Sequence, residues 1–151
     1  MSASRSPVTT VQSSDLSRDS KKVFAAAAEH DVIVTRRDGE ALVLMSKTAA
    51  DARDRLLELA AQIIAATTDD RGTLGDRMAD RFPWMLALSA ESREKCARDL
   101  VRASRASFAT GEAHLAVAEL EAWRETATAL ASGLDRISVD WLETPISVER
   151  P

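Results

Sequence analysis

Few side chains in this sequence have the type and spacing to do chemistry. Cys96 is the only thiol, set in the helical pattern REKCARDL with no histidine near it in sequence. A nucleophilic cysteine needs a neighbouring base or cation, so Cys96 reads as an ordinary helix residue. The two histidines, His30 and His114, lie far apart, and neither has a partner at ligand spacing. We therefore expect no metal site and no cofactor. The five glycines form no phosphate-cradling loop. The adjacent carboxylates Asp69 and Asp70 fall in a predicted loop, where a solvated turn explains them better than acid–base catalysis. No Ser-His-Asp or Cys-His grouping emerges, so the expectation is a protein that is not an enzyme and has no small-molecule substrate.

The remaining candidates are surfaces for binding. A net charge of −4 gives no global attraction to nucleic acid or to anionic lipid, so any such contact needs a local basic patch. Arg18, Lys21 and Lys22 share the first turns of a predicted helix, whose N-terminus adds partial positive charge and free N–H groups; an exposed helix face is the plainer reading. Arg36 and Arg37 stand beside Asp38-Gly39. On a strand they point to opposite faces, so they do not form one two-arginine clamp. Phe82, Trp84 and Trp123 read as core packing of a helical region, with Phe82 and Trp84 also candidates for partner contact. Trp141, with Leu142 and Ile146, lies in a proline-bracketed tail and could anchor a partner or fold back.

These residues depend on the elements that carry them. Apolar residues make up 45% of the chain, much of it alanine; aromatics are 4% and tyrosine is absent. That composition favours helices over a β-rich fold. Residues 1–7 read as a disordered arm. Residues 8–12 (VTTVQ) form a predicted short strand, and an Asx/Ser cluster then caps a helix with a stripe of Leu16, Ser20, Val23, Phe24 and Ala27. Residues 31–46 form a hairpin turning at Asp38-Gly39, the dipeptide favoured in two-residue hairpin loops. A hairpin with one helix is too small to be stable alone and is most simply completed by a second copy extending the sheet. A second helix runs to about residue 67, on the stripe Leu56, Leu59, Ile63 and Ile64. The run TTDDRG is the best internal boundary. Beyond it, residues 73–134 read as wholly helical: a short helix at 73–82 stopped before Pro83, then an antiparallel pair turning at Gly111 and ending at Gly133. In that pair one face carries Ala97, Leu100, Val101, Ser104 and Phe108, and the other Leu120, Trp123, Ala127 and Leu130. Residues 135–151 form a predicted extended tail. The fold class is α+β: a small αβ domain over residues 8–68, then an all-α region.

The stretch SSDLSRDSKKVFAAAAEHDVIVTRRDGEALVLMSKTAAD resembles the N-terminal domain of the Phd/YefM (prevent-host-death) antitoxins. The match rests on Leu16-Ser17-Arg18-Asp19, on Val32-Ile33-Val34-Thr35-Arg36-Arg37-Asp38-Gly39, and on Val43-Leu44-Met45-Ser46, within residues 8–60. The resemblance implies a homodimer formed through its sheet (Val32, Val34, Leu42 and Leu44) that binds operator DNA and represses its own operon. On that reading the DNA contacts are Arg5, Ser17, Arg18, Lys21, Lys22, Arg36 and Arg37. A C-terminal region would neutralise a cognate toxin, RelE/YoeB-like or Doc-like, through Phe82, Trp84, Trp141, Leu142 and Ile146. Two departures stand out: the first-helix arginine sits one place later than in the family, and residues 73–132 look preformed where family C-termini order only on the toxin. The alternative is a protein-binding or dimerisation module with a Phd-like domain and no role on DNA. A single cysteine excludes an internal disulfide and fits a reducing compartment. No stretch approaches the ~18 apolar residues of a membrane span, and MSASRSPVTT has no secretory apolar core, so a cytoplasmic bacterial protein is expected.

Overall fold

The computed structural model describes residues 9–136. The fold is mixed α+β, mostly helical, with one small three-stranded sheet. Strand β1 (Thr9–Gln12) leads through helices α1 (Asp15–Arg18) and α2 (Ser20–Glu29) to β2 (Val32–Thr35), which pairs parallel to β1 with Thr9 opposite Val32. Strand β3 (Leu42–Leu44) returns antiparallel on the other side of β2, with Val34 opposite Leu42 and Val32 opposite Leu44. The order is β1-β2-β3, so β3 is an edge strand. Helix α2 covers one face, burying Val23 and Ala27 against Val32 and Val34, with Val11, Leu16, Ala26 and Leu44 packed around them.

The rest is helical. Helix α3 (Lys47–Thr68) starts at Ser46, whose Oγ accepts the Ala49 N–H at 3.1 Å. Helix α4 (Leu74–Arg81) opens with a reciprocal capping box of Thr73 and Asp76 and stops at Phe82, where Pro83 begins a 3-10 turn (Pro83–Ala87). Helix α5 (Ala90–Thr110) is capped by Ser89 and closed by Gly111 at φ 76°, a left-handed conformation that glycine adopts without steric cost. Helix α6 (His114–Ala131) packs back along α5, and a last 3-10 turn (Leu134–Arg136) follows Gly133. Met78, Met85, Cys96, Ala97, Leu100 and Ala127 form the main core, and Leu56, Leu59, Ala113 and Ala116 form a second cluster joining α3 to α6.

Three local expectations are corrected. The first helix divides at Asp19 (φ −143°, ψ 49°), leaving α1 a single turn whose Asp15 carboxylate accepts the Gln12 N–H at 2.8 Å. The hairpin does not turn on two residues. Pairing of Val34 with Leu42 leaves residues 36–41 as a longer connection, in which Gly39 has φ 148° and the Arg36 guanidinium folds against it. The boundary placed at TTDDRG also moves. Helix α3 contributes Leu56, Leu59 and Ala66 to the helical cores and no residue to the core under the sheet, so packing divides the chain near Met45. Residues 1–8 and 137–151 lie outside the described residues.

Candidate functional site

The residues best suited to chemistry are spread over both bodies of the fold. Cys96 is fully buried in the helical core. Burial pushes its thiol up to about 12, with Asp99 and Glu119 adding to the rise, so it holds its proton and is no nucleophile. His30 spends its Nε2 on the Thr9 hydroxyl at 2.6 Å, tying the end of α2 to the start of β1. His114 lies exposed at the start of α6. The groove between the two packed bodies is lined by both histidines, a proximity that their sequence separation hid. Among the described residues, however, no group of three or more metal-ligating side chains exists. Asp69 accepts both the side-chain and backbone N–H of Arg71, which hold its carboxylate well below the usual range, in the turn between α3 and α4.

The basic residues are brought together by topology. Parallel pairing of β1 with β2 sets the start of α1–α2 and the β2–β3 connection at one end of the sheet. Ser17, Arg18, Lys21, Lys22, Arg36 and Arg37 all lie there, exposed. Asp15, Asp19, Asp38 and Glu40 occupy the same end, so it is mixed in charge rather than a positive patch. Arg5 lies outside the described residues.

The aromatic candidates fare similarly. Phe82 and Trp84 are half-buried against the main core, ring centres 6.1 Å apart, because the proline turn folds both inward. They are not free anchors. Trp123 also packs on that core, donating its Nε1–H to Glu119 at 3.0 Å, with the Lys95 ammonium 5.2 Å above the ring. Trp141, Leu142 and Ile146 lie outside the described residues.

What remains unsatisfied is the sheet. Val32 and Val34, expected at a dimer contact, are 0% and 4% exposed beneath α2 and are closed to any partner. Leu44 is half-buried. Leu42 differs. Its register opposite Val34 puts it on the α2-covered face, yet it is 54% exposed. The apolar layer thus runs one strand further than the helix that covers it. Val43 points to the opposite face, beside Ile33, and is 56% exposed. Phe24, one step past the inward-facing Val23 on α2, is 57% exposed. The edge strand therefore presents apolar side chains on both faces, with no charge among its three residues. Sequence reasoning named Leu42 but missed Val43 and Phe24. The period-2 alternation of β3 was available for the first; the second needed the finding that α2 turns only Val23, Ala26 and Ala27 inward.

Comparison with known proteins overturns the family expectation. The family model that matches is the one described as YebG protein, over residues 27–99. That family is distinct from the Phd/YefM antitoxins, which receive no support, and with them go toxin neutralisation and operator repression. The matched segment runs from the end of α2 through β2, β3, α3 and α4 into α5, across the point where the antitoxin resemblance stopped. No curated protein and no solved structure matches the chain. Over 73 of its 151 residues, then, the chain is similar to the YebG protein family.

Proposed function

We propose that this chain is a non-catalytic binding protein whose working surface is the uncovered edge of its small sheet. The observation that carries the reading is Leu42: it is oriented to the covered face by its register with Val34 but left half in water. Edge strands that stay solitary are guarded by shortness, charge, proline or a bulge, and β3, with the sequence LVL, has only its shortness. The core beneath α2 is also small, four buried residues, and three strands under one helix gain much by further apolar burial. Supporting the non-catalytic half of the reading, the one thiol is buried in the helical core.

The test compares wild type with a Leu42→Asp, Val43→Asp double variant carrying an affinity tag, captured under native conditions and weighed by light scattering. Both positions are more than half exposed, so the variant folds, as circular dichroism will confirm. The wild type is expected to carry a stoichiometric protein partner that the variant loses. Identical assemblies from the two chains would defeat the reading.

A further inference from the structure

We infer that the partner at the β3 edge is a second copy of this chain, paired antiparallel strand to strand so that two three-stranded sheets become one of six. The inference rests on the reading of the edge as a binding surface and names its occupant. Three observations select it.

The first is the self-complementarity of the strand. β3 reads Leu42-Val43-Leu44. A two-fold axis at Val43 sets Val43 opposite its own copy and Leu42 opposite the partner copy's Leu44. Every cross-strand pair is then apolar, with no like charges facing each other. The other edge offers nothing comparable. β1 alternates Thr9, Thr10, Val11 and Gln12, and the Thr35 hydroxyl already donates to the Val11 carbonyl at 3.1 Å.

The second is the shape of the missing layer. Leu42 and Leu44 share the face that α2 covers; Leu44 packs against the core beneath α2, while Leu42 is left 54% exposed. The connection from β1 to β2 is a parallel crossover, and its right-handed sense places the flank of α2 that carries Phe24 toward β3. Two copies joined at β3 bring four leucines to the middle of the joined sheet, with an exposed Phe24 on the covering helix of each copy. The uncovered Leu42 of one chain thus meets side chains that only another copy supplies. Val43 and Val43 of the second copy form the matching contact on the opposite face.

The third is electrostatic. With a net charge of −4 per chain, two copies repel weakly at long range, so a stable pair needs an uncharged meeting surface. β3 is such a surface, and the ionised residues nearest to it in sequence, Glu40 and Lys47, flank it outside the strand.

The experiment uses the full chain. Light scattering is run at concentrations up to about 100 µM on wild type, on Leu42→Asp, and on Val43→Cys under mild oxidation. Antiparallel pairing holds opposed Cα atoms roughly 4.5–5.5 Å apart, within disulfide reach, and the native Cys96 is fully buried and does not compete. The expected result is a wild-type dimer, a disulfide-linked Val43→Cys dimer on a non-reducing gel, and at least about a 100-fold weaker association for Leu42→Asp, since an unpaired carboxylate would enter the joined layer. A wild-type dimer that Leu42→Asp leaves intact, or that Val43→Cys fails to link, would overturn the inference by placing self-association elsewhere. A monomeric wild type would overturn it too. The wider reading would then survive only if Leu42→Asp still abolished capture of a different protein.

Discussion

Ser104 and Ser107 lie one turn apart on the same buried face of α5, and they behave oppositely. Ser107 Oγ accepts the Ala116 N–H at 3.0 Å with both groups buried. Helix α6 has Ala113 at its N-cap position, with no side chain able to cap it, so its N-terminal cap comes from the neighbouring helix. Ser104 Oγ is buried with no hydrogen-bond partner. Ser107→Ala should therefore cost about 1–3 kcal/mol, the desolvation of a stranded N–H, whereas Ser104→Ala should be neutral or slightly stabilising. Urea midpoints of the two variants decide this, and equal midpoints would refute the assignment. The sequence pattern placed Ser104 inward correctly but also placed Phe108 inward, and Phe108 is 51% exposed. The true face runs through Ala97, Leu100, Ser104 and Ser107. The pattern left Ser107 out, because its partner, a backbone N–H nine residues on, is invisible to periodicity.

Among the elements, the short helix α4 is held in place by its neighbours. Gly75 N–H donates to the Glu94 carboxylate of α5 at 2.7 Å. The Arg77 guanidinium takes the carbonyls of Ala66, at the end of α3, and of Gly72. Arg93 reaches from α5 to Asp76 and to the carbonyls of Met85 and Leu88. Gly75 is required by space: a Cβ there would lie 2.5 Å from Glu94 Oε1 and 3.0 Å from the Glu94 backbone nitrogen. Gly75→Ala should lower stability by about 1–3 kcal/mol through overpacking, visible as a lower urea midpoint with an unchanged slope; an unchanged midpoint would show that α5 shifts at no cost. Most helix limits were legible, because Ser46, Thr73, Ser89, Gly111 and Pro83 act within a few residues of the ends they set. The break at Asp19, the length of the hairpin connection and the arginine clamps were not, since each depends on a register or a contact distant in sequence. The same limit hid part of the candidate site. Alternation marked Leu42, but only the reach of α2 over the sheet shows that Leu42 is left uncovered.

At the scale of the whole molecule, the αβ body and the helical body have separate cores. They are joined through Met45 and Ser46 and by contacts of Arg53, which pairs with Asp31 at 2.6 Å and reaches the Met45 sulfur at 3.4 Å. Exposed ion pairs of this kind contribute little, so the bodies should open independently. Amide hydrogen exchange in dilute protein, where self-association is minimal, should show β2 and α2 exchanging at least about tenfold faster than the centres of α5 and α6. Uniform protection would mean that the two bodies unfold as one. Composition alone hinted at this asymmetry, because a helix-rich, aromatic-poor chain leaves a small sheet little with which to build a core. The position of the indoles turns that asymmetry into an optical one. Trp84 and Trp123 both pack on the helical core, residues 9–45 contain no tryptophan, and the chain has no tyrosine. Among the described residues, tryptophan emission therefore reports on the helical body and leaves the sheet dark. A tryptophan placed at Phe24 would light the body that carries the proposed edge without disturbing the signal's existing source.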